Sequence, residues 1–489
     1  MSNTDYLTCA LRLAESLQSV ELSETIAIQY VEAGELERSV ELAEQIPDAY
    51  ARDSVLAVIA AKAVASERED FATELLDTIE DPILHNSASG EMAIEFAKSG
   101  KFDTALELTD QLSNNASALG SMAISYWQRG LEDEAIDLAH CIEFPEQSAA
   151  TLAQLARLSD EKDERLELLD QARDVAEEIE SAELKVFALM SIASVYEEQG
   201  EREHSVDVLN RAFEVCEDFE GVSLIGLSAD YAQDEALLQI LEGFLRLDDL
   251  SKAAEVADVL EDRFLVARAS LNLVVAQGKD QPEETTKHLD EAKAVILDLR
   301  PYSEQEAAVR DSLVIELAMS YAKFKNYAEA RRIIRLLPSE EKQSLAFREL
   351  GKLCLTAGDD GEIFEIAGDL GKPFDKVQYW LAIYDATISS HAELSETALA
   401  NTLASVQELQ HPVQKAEVGT EIALRLAKAQ KTNDAENLFL AATSAVSNIE
   451  GSFLKARALL RLAKASHDTG RKPNPDEQRL LEEMMVRLD

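Results

Sequence analysis

Small, aromatic and aliphatic residues recur along the chain in one fixed order. The segments IAIQYVEAGELERSVELAEQI, MAIEFAKSGKFDTALELTDQL and MAISYWQRGLEDEAIDLAHCI show it most clearly. Each has a small residue, an aromatic three later, a glycine four after that, a second small residue five further on, and a leucine three on. These positions are Ala27, Tyr30, Gly34, Ser39 and Leu42 in the first segment, Ala93, Phe96, Gly100, Ala105 and Leu108 in the second, and Ala123, Tyr126, Gly130, Ala135 and Leu138 in the third. A repeat of this kind indicates an array of equivalent structural units.

The order of residues within one unit predicts a helical hairpin. Residues three apart lie on one face of a helix, and a glycine adopts the left-handed conformation that ends it. The second small residue then begins a new apolar face. Two facing small residues allow the paired helices to approach closely, and the aromatic fills the space beside them. Because one hairpin cannot bury its apolar faces alone, the units must stack.

Thirteen positions can be assigned to the first small residue of a unit. Most steps between them are 30 to 40 residues, and the steps from Ala193 and from Val274 are longer. The fifth, eighth, eleventh and thirteenth units match the pattern poorly. The positions are Ala27, Ala60, Ala93, Ala123, Ala156, Ala193, Leu241, Val274, Ala318, Gly351, Ala386, Ala423 and Ala463. The sequence therefore predicts an all-α solenoid of about thirteen antiparallel helical hairpins.

No Pro/Gly/Ser-rich linker divides the chain, and the longest step, from Ala193 to Leu241, locates the most plausible interruption. We expect acidic N-terminal repeats over 1–215, a break or insertion over 216–235 and further repeats over 236–470. The last residues, 471–489, depart from the pattern and end in an amphipathic segment. This segment is predicted to be a capping helix that covers the last apolar face.

The net charge narrows the class of partner. Against 94 Asp and Glu the chain has only 46 Lys and Arg, a formal charge of −48. Sequence-independent nucleic-acid binding and docking on anionic lipid both need an excess of basic residues, so neither is expected. A basic or amphipathic protein segment is favoured as partner. The alternative is that the carboxylates only solvate the surface, as in a salt-adapted protein.

Motifs that carry chemistry are missing from the sequence. The four cysteines and seven histidines are scattered, with no CxxC pair and no HExxH, and the cysteines are expected to be buried apolar residues. Neither a glycine-rich phosphate loop nor a GxSxG turn is present. We therefore predict no catalytic residue, no cofactor and no metal site, and a protein that is not an enzyme. Because no signal peptide or long apolar stretch occurs, a cytoplasmic location is expected.

The repeat resembles the tetratricopeptide-repeat (TPR) family, in which Ala93, Phe96, Gly100 and Ala105 would take the small, aromatic, turn and second small positions. The family's Trp near the repeat start and its closing Pro are largely missing, and helical-hairpin solenoids of longer period are the alternative. The resemblance implies a right-handed superhelix whose first helices line a concave groove. Such a groove holds a peptide or helix of a partner.

In this register six large apolar residues would face the groove. They are Ile94, Trp127, Phe187, Met190, Met319 and Trp380. The resulting hypothesis is a non-catalytic scaffold that binds a segment of another protein, and the alternative is a regulatory sensor whose groove binds a small peptide or ligand. The two tryptophans could instead pack between neighbouring helices. A basic stripe from Lys455 to Lys472 is interpreted as a solvated helix face. The alternatives are a small nucleic-acid or acidic-partner contact and a contact for the acidic half of another copy, so self-association is possible.

Overall fold

The computed structural model describes residues 5–112, 114–216, 219, 229–278 and 282–486. These residues form α-helices joined by short turns, with no β-strand among them. The chain is an all-α solenoid of consecutive helical hairpins, as the sequence predicted. The expected break over 216–235 lies largely outside the described residues, so it stays a prediction.

Each hairpin pairs a first helix with a second one, and α1 (Tyr6–Leu17) precedes the series. The first helices are α2 (Val20–Glu32), α4 (Ala49–Ala65), α6 (Pro82–Ser99), α8 (Ala116–Gln128), α10 (Pro145–Leu158), α12 (Ala182–Glu198), α14 (Ala229–Arg246), α16 (Arg263–Gln277), α18 (Glu304–Lys323), α20 (Glu340–Thr356), α22 (Pro373–Thr387), α24 (Pro412–Lys428) and α26 (Ser452–Asp468). The second helices are α3 (Leu36–Ala43), α5 (Glu69–Thr78), α7 (Phe102–Thr109), α9 (Glu132–His140), α11 (Lys162–Glu177), α13 (Arg202–Val215), α15 (Leu250–Ala257), α17 (Pro282–Asp298), α19 (Tyr327–Ile334), α21 (Asp360–Asp369), α23 (Ala392–Glu408), α25 (Thr432–Ser447) and α27 (Pro475–Val486). Each of the thirteen assigned small-residue positions lies in a first helix.

The turn within most hairpins has one geometry. Seven residues after the first small residue, the backbone adopts positive φ, as at Gly130 with φ 75°. The next residue, Leu131, donates its N–H to the carbonyl of Tyr126, a bond that satisfies one of the free carbonyls at the helix end. The residues at this position are Gly34, Glu67, Gly100, Gly130, Gly200, Asp248, Lys325, Gly358, Gln430 and Gly470. Four of them are not glycine, so a glycine search alone misses part of the repeat.

The fifth and eleventh hairpins turn earlier than the others. Helix α10 ends two residues after its small residue, Ala156, and helix α22 ends one residue after Ala386. Neither turn contains a residue with positive φ. Ser159 instead leaves α10 in an extended conformation. This shorter turn explains why the two segments match the sequence pattern poorly.

Buried aspartates link the start of one first helix to the turn that precedes the next. Asp53, seven residues before Ala60, accepts hydrogen bonds from the backbone N–H groups of Glu80 and Asp81, both at 2.9 Å. Asp234, seven residues before Leu241, likewise accepts hydrogen bonds from the backbone N–H groups of Glu261 and Asp262. Each carboxylate thus satisfies amides that would otherwise have no partner beside a helix start.

The contacts within the chain define two compact units. Unit 2 comprises residues 96–353, and its first helices α8, α10, α12, α14, α16 and α18 pack one against the next. A continuous apolar core of leucine, alanine, valine and isoleucine fills the space between them from Tyr126 to Ala269. This serial packing is the arrangement expected when hairpins stack on their nearest neighbours.

Unit 1 comprises residues 1–95 together with 354–489, so it contains both ends of the chain. Helix α1 packs against α26 and α27 and continues the series of first helices α22, α24 and α26. The Tyr6 and Thr443 hydroxyls are hydrogen-bonded at 2.9 Å, and the Gln29 amide donates to the Leu460 carbonyl at 3.1 Å. In unit 1, each end of the chain therefore covers apolar surface of the other.

The basic stripe near the C-terminus contacts carboxylates of its own chain. Lys464 forms an ion pair with Glu32 at 3.0 Å, which joins α26 to α2. Arg461 pairs with Glu417. A contact with the acidic N-terminal part thus occurs within one molecule, and association with a second copy stays a prediction.

Candidate partner-binding surface

All six predicted groove residues lie on first helices. Ile94 is on α6, Met319 is on α18, and all but the two tryptophans are partly or largely accessible to solvent. Phe187 and Met190 lie one turn apart on α12. Their position alone does not test the prediction that a partner binds at these residues. Their exposure separates them into two groups, the two buried tryptophans and the four accessible residues.

The two tryptophans are buried. Trp127 is 7% exposed and belongs to the apolar core of unit 2. Trp380 is 5% exposed, with its ring 5.4 Å from that of Tyr379 and 5.5 Å from that of Phe364. Both rings therefore pack between helices, which was the alternative interpretation of the sequence. Neither ring offers a partner a contact surface unless the helices separate.

Phe187 is different, because 46% of its surface is exposed although it lies on a first helix. Helix α12 packs between α10 and α14, and the equivalent positions on these helices, six residues before the small residue, are Ala150 and Glu235. Met190, one turn later, is half-buried against the core. We call Phe187, Met190, Ala150 and Glu235 the Phe187 surface. It combines an exposed aromatic ring, a flexible thioether and a carboxylate.

Two ion pairs link α12 to its neighbours near the C-terminal ends of the three helices, ten and eleven residues beyond Phe187. Arg157 of α10 donates to both carboxylate oxygens of Glu198 on α12, at 2.8 and 2.9 Å. Arg246 of α14 donates from Nε to both oxygens of Glu197, at 3.0 and 2.9 Å. Paired contacts of this kind restrict the guanidinium more than a single bond does. Partly exposed ion pairs add little to stability, so the order of this face comes mainly from the packing of α10, α12 and α14 against one another.

Sequence reasoning missed these four charged residues. Their positions relative to the repeat could have indicated them, since Arg157 follows Ala156 by one residue and Arg246 follows Leu241 by five. Glu197 and Glu198 follow Ala193 by four and five residues, so all four lie near the ends of neighbouring first helices. A search for opposite charges at equivalent helix ends would have predicted both pairs.

The described residues contain no group of three or more His, Cys, Asp or Glu side chains that could hold a metal ion. Among the cysteines, Cys9, Cys216 and Cys354 are buried, whereas Cys141 is exposed. The expectation that all four are buried was wrong for Cys141, because it follows the last residue of the short helix α9 at the surface. In the described part of the chain, no helix is both long and apolar enough to span a membrane.

No family model and no curated protein matches the sequence. Among solved structures, Naa15/Naa10 bound to HypK-THB is similar at 13% identity over 98% of this chain and 81% of that chain, with a TM-score of 0.36. The human IFIT1 dimer with m7Gppp-AAAA has 13% identity over 95% of this chain and 96% of that chain, with a TM-score of 0.29. Rap protein complexed with Competence and Sporulation Factor has 14% identity over 69% of this chain and 99% of that chain, with a TM-score of 0.26. At these values the fold assignment rests on the helices and turns of this chain itself.

Proposed function

We propose that the protein is a non-catalytic, cytoplasmic scaffold of the TPR type that binds a basic, amphipathic segment of another protein at the Phe187 surface. The observation that carries the proposal is the exposed ring of Phe187 on a first helix that packs between two neighbouring first helices. Large aromatic side chains at the centre of an ordered face are typical of the residues that dominate binding energy. Met190 beside it adds a side chain that adapts to different apolar partners.

Charge supports a basic partner. Glu235 of the Phe187 surface and Glu242, two turns further along α14, form no ion pair within the described residues, and Glu242 accepts a hydrogen bond from the Asn272 amide at 3.1 Å. The formal charge of −48 arises from the first 400 residues, which include this surface. Such a field accelerates the approach of a positively charged segment and repels nucleic acid and anionic lipid.

The apolar part of the surface supplies affinity once the partner has docked. Covering the exposed half of a phenylalanine side chain stabilises a complex by about 1 kcal/mol, from about 25 cal/mol per Å² of apolar area. That amount alone is small, so the partner segment must also cover Met190 and Ala150. An amphipathic segment with an apolar stripe and basic residues on either side meets both requirements.

Site-directed photocrosslinking tests this proposal. A photoreactive benzoylphenylalanine replaces Phe187 in one variant and Phe364 in a matched control, because both rings are 46% exposed and Phe364 lies on a second helix, α21. Both variants are irradiated in lysate of the native host, and cross-linked proteins are identified by mass spectrometry. We expect one basic or amphipathic segment to cross-link through position 187 and not through position 364.

A competition experiment tests whether cross-linking at position 187 is specific. A synthetic peptide of the cross-linked segment should reduce cross-linking at position 187 in proportion to its concentration. Equal cross-linking at both positions, or no enrichment of any protein at position 187, would contradict the Phe187 surface as the binding site. Loss of all cross-links at moderate salt would show that only nonspecific charge attraction operates.

A further inference from the structure

A cavity of about 340 Å³ lies in unit 1 where the two ends of the chain meet. Its wall is formed by the start of α1, the end of α2, the last turns of α26 and the turn before α27. The residues that matter for its chemistry are Asp5, Glu35, Lys464, Ser466, Arg471 and Lys472. Cavities that hold small ligands begin at about 300 Å³, so this one suits a small molecule rather than a long peptide.

Charges of opposite sign come from opposite ends of the chain. The N-terminal wall contributes Asp5, Glu32 and Glu35, and the C-terminal wall contributes Lys464, Arg471 and Lys472. The Lys464–Glu32 ion pair joins the two walls. Lys472 is exposed and forms no ion pair among the described residues. Glu35 is likewise paired, with Arg38 at 3.1 Å, so among the described lining residues Lys472 on one wall and Asp5 on the other are the charges without an ion pair.

Arg471 is the most constrained residue of the positive side. Its side chain is only 9% exposed, and Nη2 donates to Glu436 and to Glu477, at 2.6 and 2.9 Å. The guanidinium lies over the ring of Phe439, with Cζ 4.1 Å from the ring centroid. Its Nη1 atom, in contrast, is buried without a hydrogen-bond partner. One face of a fixed guanidinium thus retains an unused donor.

Ser466 adds a second unused donor to the same wall. Its Oγ is buried and has no hydrogen-bond partner, although the residue lines the cavity. Buried donors without an acceptor cost free energy, and an incoming oxygen atom removes that cost.

We propose that this cavity binds a small zwitterion, a free amino acid or a dipeptide, with its carboxylate toward Ser466, Arg471 and Lys472 and its ammonium group toward Asp5 and Glu35. Glu436 and Glu477 together carry more negative charge than Arg471 offsets, so Lys472 supplies the attraction for the carboxylate and Arg471 supplies only a directed hydrogen bond. The site belongs to unit 1 and the Phe187 surface to unit 2, and this proposal does not depend on the function proposed for that surface.

Binding at this site is coupled to the contact between the chain ends. Residues of both ends line the cavity, so the ligand binds when the ends are together and not when they separate. A ligand that binds only the joined state stabilises it in proportion to the logarithm of its concentration. The zwitterion therefore acts as a small-molecule signal that favours the joined ends.

Calorimetric titration and thermal unfolding of the full chain test the proposal, with alanylalanine as the probe. Acetate and methylammonium, which each carry one of the two charges, serve as reference ligands. We expect saturable binding of alanylalanine with a rise in the unfolding temperature, and binding of each reference ligand at least about tenfold weaker, since each lacks one group of partners.

Variants separate binding from folding. Ser466→Ala removes a hydroxyl that has no partner in the protein, and Lys472→Gln removes an exposed charge, so neither should unfold the chain. Each is expected to weaken alanylalanine binding about tenfold. Lys428→Gln, an exposed position on α24 outside the cavity, should leave binding unchanged.

Three results would overturn the inference. The first is the absence of saturable alanylalanine binding to the wild-type chain. The second is acetate or methylammonium binding as well as the dipeptide does, which would leave a cavity filled with water and exchangeable ions. The third is unchanged binding in both Ser466→Ala and Lys472→Gln, which would place the dipeptide elsewhere.

Discussion

The hydroxyl of Ser39 donates a hydrogen bond of 2.8 Å to the backbone carbonyl of Ala27 on the facing helix of the same hairpin. Ser205 donates to Ala193 at 3.0 Å in unit 2, with the same spacing of twelve residues. Both serines are buried. A helix backbone can lie this close to a side chain only where both residues are small, so the two small positions of the repeat set the distance within the hairpin.

Enlarging the second small residue should separate the helices. Ser39→Leu is expected to lower the free energy of unfolding by about 1–3 kcal/mol, because added methylene groups overpack the hairpin. Ser39→Ala, which loses only the hydrogen bond, should cost about 1 kcal/mol. Urea unfolding followed by circular dichroism measures both, and Ser444→Leu at an exposed position of α25 serves as control. Equal stability of Ser39→Leu and Ser444→Leu would show that the small position is not required.

The left-handed turn predicts that two substitutions change the stability of the chain in opposite directions. Gly130 has φ 75° and no atom near the position of an added Cβ, so Gly130→Ala should destabilise the chain by about 1 kcal/mol through backbone conformation alone. Gln430 has φ 61° and is exposed. Gln430→Gly should raise the stability by up to about 1 kcal/mol. Thermal unfolding of the two variants measures the difference, and shifts in the same direction would contradict the turn geometry.

The two inter-hairpin aspartates should respond differently to pH. Burial opposes the ionisation of Asp53, but the Asp81 and Glu80 amides and Arg52 hold the pKa of its carboxyl below the ordinary value. Its ionised form therefore stabilises the fold above the unfolded-state pKa, and this contribution is lost as pH falls through the folded-state pKa. Asp53→Asn should cost about 2 kcal/mol at pH 7, and the difference from wild type should shrink below about pH 4.

Asp234 provides the matched comparison. Burial raises the pKa of Asp234 above its ordinary value, and the amides of the turn at 261 and 262 offset this only in part. Its contribution to stability is present below the unfolded-state pKa and is lost as pH rises through the folded-state pKa. Asp234→Asn should therefore cost less at pH 7 than Asp53→Asn does. Urea unfolding of both variants at pH 7 and pH 4 measures the two losses of stability. A larger loss at pH 7 for Asp234→Asn than for Asp53→Asn would contradict the opposite pKa shifts of the two carboxyl groups.

Arg471 should be essential to the contact between the chain ends. Glu477 is 0% exposed, so Arg471→Gln leaves a buried carboxylate without its partner and should cost about 3–5 kcal/mol. The double variant Arg471→Leu, Glu477→Leu removes both charges and should recover most of that loss. Hydrogen exchange of the α1 amides measures whether the chain ends separate. Undiminished protection of α1 in Arg471→Gln would contradict this role.

The sequence predicted the hairpins well because their spacing depends on local backbone geometry and on small residues in fixed positions. Even units with weak similarity place Val274 and Ala463 on first helices. The fifth and eleventh turns were not predicted, since they contain no residue with positive φ and so lack the turn residue that marks the other hairpins. In four other hairpins the turn position holds a residue other than glycine, such as Gln430, so the sequence alone does not mark the turn.

The candidate surfaces were predicted less well. A helical register places Trp127, Trp380 and Phe187 on the same kind of helix, but it cannot say which ring a neighbouring helix covers. The cavity in unit 1 is formed by residues more than 400 positions apart, such as Glu32 and Lys464. Contacts over such separations leave no periodic signal in the sequence. The opposite charges of the two chain segments indicated that they could attract each other, but not which residues would meet.

The most direct test of the scaffold proposal compares Phe187→Ser with Phe364→Ser in affinity capture from lysate of the native host at moderate salt. Both substitutions remove an equally exposed ring, and circular dichroism confirms that both variants remain helical. If Phe187 anchors the partner, wild type and Phe364→Ser retain the same basic or amphipathic protein, and Phe187→Ser loses it. Retention of that protein by Phe187→Ser would contradict the central claim that this first-helix surface binds the partner.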